Sequence, residues 1–133
     1  MTQRVAFPSS LGFLDAQHEE LDLKMRDLAN LQSSADSESV MSQVRHILKL
    51  LKEHTTQEEH AMESHGYSEL ALHKKYHENV LASVETMFEF FTPQSMLEYR
   101  ETIANYLQNR LSEEMLVDRL FVRFLEERAI RCG

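Results

Sequence analysis

Cysteine, glycine, proline and tryptophan are scarce in this chain of 133 residues, which has one Cys, three Gly, two Pro and no Trp. The single cysteine, Cys132, stands near the end and cannot form an internal disulfide, which fits a reducing compartment. Five Gly and Pro residues together are too few for the many tight turns of a β-sandwich. No run of 18 apolar residues is present to cross a bilayer. The opening segment MTQRVAFPSS lacks a charged stretch followed by an apolar one, so the expected location is the cytoplasm. Positive charge is also short: 14 Lys+Arg against 22 Asp+Glu give a net charge of −8, which repels phosphate backbones and anionic lipid headgroups. Neither nucleic acid nor membrane is an expected partner. What remains is rich in Leu, Glu, Met, Lys and Gln, so an all-α fold is expected. Residues 1–133 are expected to form one domain, with a core over about 7–127 and short tails.

The hydrophobic rhythm places four helices. Leu14, Leu21, Met25 and Leu28 recur at helical spacing between Leu11 and Leu31. The polar run Gln32 to Ser39 reads as a loop, after which Val40, Val44, Ile47, Leu48, Leu51, Ala61 and Met62 keep the period until Ser64-His65-Gly66-Tyr67. Gly66 suits the left-handed cap position. A third helix, about Ser68 to Phe91, carries Leu72, Tyr76, Val80, Leu81, Val84, Met87 and Phe88. Thr92 then caps the next helix, with Pro93 in its first turn. No breaker follows until about Glu127, so the fourth helix is expected to run unbroken for roughly 50 Å at 1.5 Å per residue. The charged tail Glu126 to Gly133 shows no evident fold. Short connections among four long helices predict an up-down-up-down antiparallel four-helix bundle.

The inward stripes of these helices contain histidines and carboxylates, which are costly to bury unless something pairs with them. His54 and Glu58 are four apart between Leu51 and Met62, and His73 and His77 are four apart beside Leu72, Tyr76 and Val80. Positions i and i+4 lie about 40° apart around a helix, so each pair points at one spot. His18, beside Leu14, Leu21 and Met25, adds a third helix. The bland alternative for His54 and Glu58 is an exposed ion pair. Asp22 and His65 stand four residues from His18 and Glu69, but the first turns to solvent if His18 points inward and the second adjoins the Gly66 break. His46 and His60 lie off the His54 stripe and read as surface residues. Met25, Met62 and Met87 read as core packing.

HxxxE on one helix, HxxxH on the next after Met62-x-x-x-Gly66-Tyr67, and the upstream segment Leu14-Asp15-Ala16-Gln17-His18 together resemble the hemerythrin family, particularly its bacterial members. The resemblance spans about residues 7 to 125. It implies two iron ions (Fe2+/Fe3+) with an oxo or hydroxo bridge, held in a four-helix bundle by five histidines and two bridging carboxylates, and binding dioxygen reversibly. Ferritin-like di-iron proteins instead require Glu-x-x-His, and no histidine here has Glu three residues before it.

The fourth helix departs from that pattern, in which it supplies His-x-x-x-x-Asp, because it contains no histidine. Matching Tyr106-Leu107 to the family's Trp-Leu puts Arg110 and Met115 at the two ligand positions and destroys the site. Matching Asp118-x-x-Phe121-x-x-Phe124-Leu125 to the family's tail puts Glu113 at the histidine position and Asp118 at the bridging aspartate. The interval 113 − 77 = 36 equals 54 − 18 = 36, in keeping with the bacterial relatives. Residues five apart lie about 140° around the helix, so periodicity alone would sooner pair Glu114 with Asp118. The family comparison favours Glu113.

The resemblance thus implies a metal-ligand set of His18, His54, Glu58, His73, His77, Glu113 and Asp118. One iron takes His73, His77 and Glu113, the other takes His18 and His54 and keeps an open position, and Glu58 and Asp118 bridge them. A third carboxylate takes the reduced site's charge from +1 to 0, which favours the oxidised metals and implies readier autoxidation. The expected function is dioxygen binding as carrier, store or oxygen/redox sensor, rather than enzymatic turnover. The alternatives are a readily autoxidising redox sensor or weak peroxidase acting on dioxygen or peroxide, and a metal-free helical interaction module. The chain is expected to be a monomer or weak dimer, either free-standing or joined to a signalling domain.

Overall fold

A computed structural model describes residues 7–31 and 36–132. Among them the chain is all-helical, with no strand and five α-helices that pack together. A 3-10 turn, Ser9–Leu11, leads into α1 (Gly12–Ala29), followed by α2 (Ser37–Ser64), α3 (Leu70–Phe90), α4 (Pro93–Glu98) and α5 (Arg100–Cys132). Half of the expected loop, residues 32–35, lies outside the described residues.

The helix ends follow local chemistry. Asp36 caps α2, its side chain accepting from the Ser39 N–H, so the helix begins at Ser37, inside the run expected to be loop. Gly66 takes φ +64°, the left-handed conformation that lets the chain turn out of α2. Thr92 and Ser95 form a reciprocal capping box with Pro93 in the first turn of α4.

Two expectations require correction. The fourth helix is not continuous from Pro93, because Tyr99 leaves helical geometry at φ −103°, ψ 22°. The short α4 buries Met96 and packs against α2, and a separate α5 begins at Arg100. Arg100 secures the break, its guanidinium donating to the Leu31 carbonyl at 3.1 Å and to the Leu97 carbonyl at 2.9 Å. The charged tail, expected to have no fold, instead continues α5 as far as Cys132.

Helix α1 packs between α2 and α5, α2 also contacts α3 and α4, and α3 and α5 touch only sparingly. Leu14, Leu21, Met25, Leu28, Ile47, Met62, Ile103, Leu107, Leu111 and Phe121 are fully buried between the helices. Among the described residues this apolar frame surrounds eight buried polar or charged ones, and seven of them converge on one place. The eighth, Thr55, spends its hydroxyl on the Lys52 carbonyl. No helix among the described residues is long and apolar enough to cross a membrane.

Candidate metal centre

Helix periodicity delivers His18 from α1, His54 and Glu58 from α2, His73 and His77 from α3, and Glu114 and Asp118 from α5 to a common buried point. Each pair within a helix is four residues apart, so both members face inward together. They form two sets, one of His18, His54, Glu114 and Asp118 and the other of Glu58, His73, His77 and Asp118, with one side-chain atom from each residue of a set lying within 4.8 Å of the others.

The carboxylates are divided between the histidines. Glu58 turns Oε1 to the Nε2 atoms of His73 (2.9 Å) and His77 (3.1 Å), and Oε2 to Nε2 of His54 (3.3 Å). Asp118 sends Oδ1 to His73 Nε2 at 3.0 Å and Oδ2 to His18 Nε2 at 3.2 Å. Glu114 Oε1 lies between His77 Nε2 (3.2 Å) and His54 Nε2 (3.6 Å).

Most of these close approaches are not hydrogen bonds. Nε2 of His18, His54 and His77, Oε2 of Glu58 and both oxygens of Glu114 and Asp118 are buried without a hydrogen-bond partner. Such atoms cost about 1–3 kcal/mol each when orphaned. Their spacing is that of ligands around a cation, since neighbouring donors about 2.1 Å from an octahedral ion stand about 3 Å apart. The outer ring nitrogens support this. His54 Nδ1–H donates to Gln17 Oε1 at 2.7 Å, and Gln17 in turn donates to Gln57 at 2.6 Å. His77 Nδ1–H donates to Glu59 Oε2 at 2.6 Å. With the proton held on Nδ1, the Nε2 lone pair is left facing the cluster. Imidazole and carboxylate donors in this number suit a divalent metal, and the residues present fit one.

Without a cation the cluster is electrostatically frustrated. Burial and then His54 push His18 down to about 4. Burial also opposes charge on His77, but Glu114 and Glu58 outweigh it and hold that ring up at about 10. Burial would raise Glu58, yet the facing ring nitrogens of His54, His73 and His77 keep it well below the ordinary carboxylate range. Asp118 goes the other way, raised by burial and by the charges of Glu58 and Glu114.

Six of the seven residues singled out from the sequence thus meet in one cluster: His18, His54, Glu58, His73, His77 and Asp118. Glu113 does not join them. Its side chain is 54% exposed and pairs with Arg110 at 3.0 Å on the outside of α5. Glu114, one residue on and 1% exposed, occupies the inward position. The signal for Glu114 was the i, i+4 spacing to Asp118, and the 140° displacement of a residue five away explains why Glu113 cannot share that face. Asp22 bonds to Arg26 and His65 to the Ala61 carbonyl, while His46 and His60 are exposed.

The site's contents invite comparison with known proteins. The chain is 25% identical over 95 residues to a myohemerythrin of Theromyzon tessulatum. That stretch covers 71% of this chain and 74% of the relative. No family model matches the chain, and no solved structure matches it.

Proposed function

We propose that the chain is a hemerythrin-like protein binding two iron ions, and dioxygen upon them, within four long helices, α1, α2, α3 and α5, arranged up-down-up-down. The observation that carries this reading is the division of Glu58 and Asp118, each directing one oxygen to one histidine group and the other oxygen to the second. The likeness to a myohemerythrin supports it independently. His73 and His77 would hold one ion, His18 and His54 the other, and Glu58 and Asp118 would bridge; Glu114, grouped with His18, His54 and Asp118, would be the third carboxylate in place of Glu113, which leaves the open position with the His73–His77 ion. Bound iron supplies the electrons for reversible dioxygen binding.

The protein's own groups orient and shield that site. Gln17 and Glu59 fix the tautomers of His54 and His77. Phe7 lies 6.2 Å from the His18 ring, and Phe121 packs on both Phe7 and Tyr67, so an aromatic cover excludes water at that end. The role is that of a carrier, store or oxygen/redox sensor of the cytoplasm, formed by one domain. A second reading, a protein that autoxidises readily, is favoured by the third buried carboxylate, because added negative charge stabilises oxidised metal.

Metal analysis and absorption spectroscopy on protein produced in iron-supplied medium, before and after anaerobic reduction and return to air, test both readings. About two irons per chain and a reduced form regained on degassing are expected. Two irons that oxidise without recovery would select the second reading, and no metal above background would defeat both.

A further inference from the structure

The sides of the cluster are unequally closed. Beside α1 and α2, Gln17, hydrogen-bonded to Gln57, borders a cavity of only about 70 Å3 whose wall is evenly polar and apolar and includes Glu20, Glu53, Leu21 and Leu50. Between α3 and α5, where the helices touch sparingly, a groove of about 470 Å3 is bounded by Tyr67, Leu72, His73, Tyr76, Val117 and Leu120. Its wall is predominantly apolar, and His73, one of the clustered histidines, forms part of it. Leu72 and Leu120 stand 66% and 57% exposed at its mouth. The groove therefore brings apolar surface from solvent up to the His73 ring at the edge of the cluster.

Tyr76 stands on α3 between His73 and His77, its ring 6.2 Å and 6.3 Å from theirs. The ring faces the groove, yet the hydroxyl is buried and has no hydrogen-bond partner. A phenol is neutral at ordinary pH, so the group is an O–H donor. A buried donor without an acceptor is destabilising by itself and is satisfied by a guest that brings an acceptor.

Resting on the function proposed above, we propose that the α3–α5 groove is the route by which a small apolar ligand of the dioxygen class reaches the cluster, and that the Tyr76 hydroxyl is the hydrogen-bond donor that ligand meets. The groove is larger than a diatomic molecule and acts as a vestibule; selection for an uncharged guest comes from its leucine and valine wall. Ionic guests meet opposed charges at the rim, Glu69 and Lys75.

Xenon, an apolar probe that needs no metal, tests the route. In methyl-resolved NMR of the chain under xenon pressure, the largest shifts are expected at Leu72, Val117 and Leu120, and Leu120→Trp should abolish them. Shifts centred elsewhere, such as Met25 or Leu51, would overturn the route. In the reduced metal-loaded protein, Leu120→Trp should slow dioxygen association about tenfold with its equilibrium affinity unchanged, since a blocked passage slows arrival and departure alike. Tyr76→Phe should speed dioxygen dissociation about tenfold, the loss of one hydrogen bond, without lowering the melting temperature of the metal-free protein. An association rate within twofold of wild type in Leu120→Trp, or an unaltered dissociation rate in Tyr76→Phe, would overturn the corresponding role. Metal content measured on the same samples judges the functional reading separately, because the xenon result stands without metal.

Discussion

Glu113 and Glu114 differ by one position in sequence and by the whole thickness of a helix in their surroundings. Replacing Glu114 with Gln should lower metal affinity at least tenfold, whereas Glu113→Gln should leave it unchanged, as titration calorimetry of the metal-free protein with ferrous iron under anaerobic conditions will show. Equal effects would mean that α5 presents a different face. Gln17→Leu is expected to weaken binding 10- to 100-fold without touching a candidate ligand, because the His54 tautomer is then no longer fixed. The metal-free fold should be most stable near pH 6.5. His77, held up at about 10 against 6.5 when unfolded, stabilises the fold fully below pH 6.5, and this stabilisation fades as pH rises to about 10. His18, lowered to about 4, stabilises it above pH 6.5, and that contribution is lost as pH falls toward 4. Chelated samples melted from pH 4 to 10 should show the maximum, and a monotonic profile would refute it. At this scale most of the cluster was legible, since His54 with Glu58 and His73 with His77 announce themselves by spacing. Glu114 was obscured because the family's spacing points to Glu113, whereas the helix obeys the 3.6-residue period.

Helix ends were readable wherever a residue's own chemistry dictates them. Thr92 with Pro93, and Gly66, each mark an expected boundary through a cap, a missing donor or a positive φ, whereas Asp36 caps α2 from within the run expected to be loop. A Cβ added at Gly66 meets nothing within 4 Å, so Gly66→Ala should cost about 1 kcal/mol through backbone strain alone, and Gly66→Asn less. Urea denaturation of the two variants measures the difference, and equal losses would point to a cause other than φ. The break at Tyr99 was not legible, because no Gly or Pro stands there. It depends on contacts remote in sequence, the packing of α4 on α2 and the reach of Arg100 to the Leu31 carbonyl.

For the whole molecule, the apolar core alone must hold together seven buried polar side chains that are poorly satisfied without a cation. Chelation should therefore lower the melting temperature by about 10 °C or more, the shift expected when a ligand present at a hundred times its dissociation constant is withdrawn. A melting curve indifferent to chelator would argue that no ion belongs there. The all-helical class followed from composition and period, which are properties of the entire chain and survive local misreading. The close approach of His18 to Asp118 has a further consequence in time. Those residues are 118 − 18 = 100 positions apart, so the donor set is completed only when α5 has been synthesised and has docked against α1. A nascent chain carrying only the first three long helices lacks both α5 carboxylates, so the seven-residue cluster cannot assemble before α5 is made.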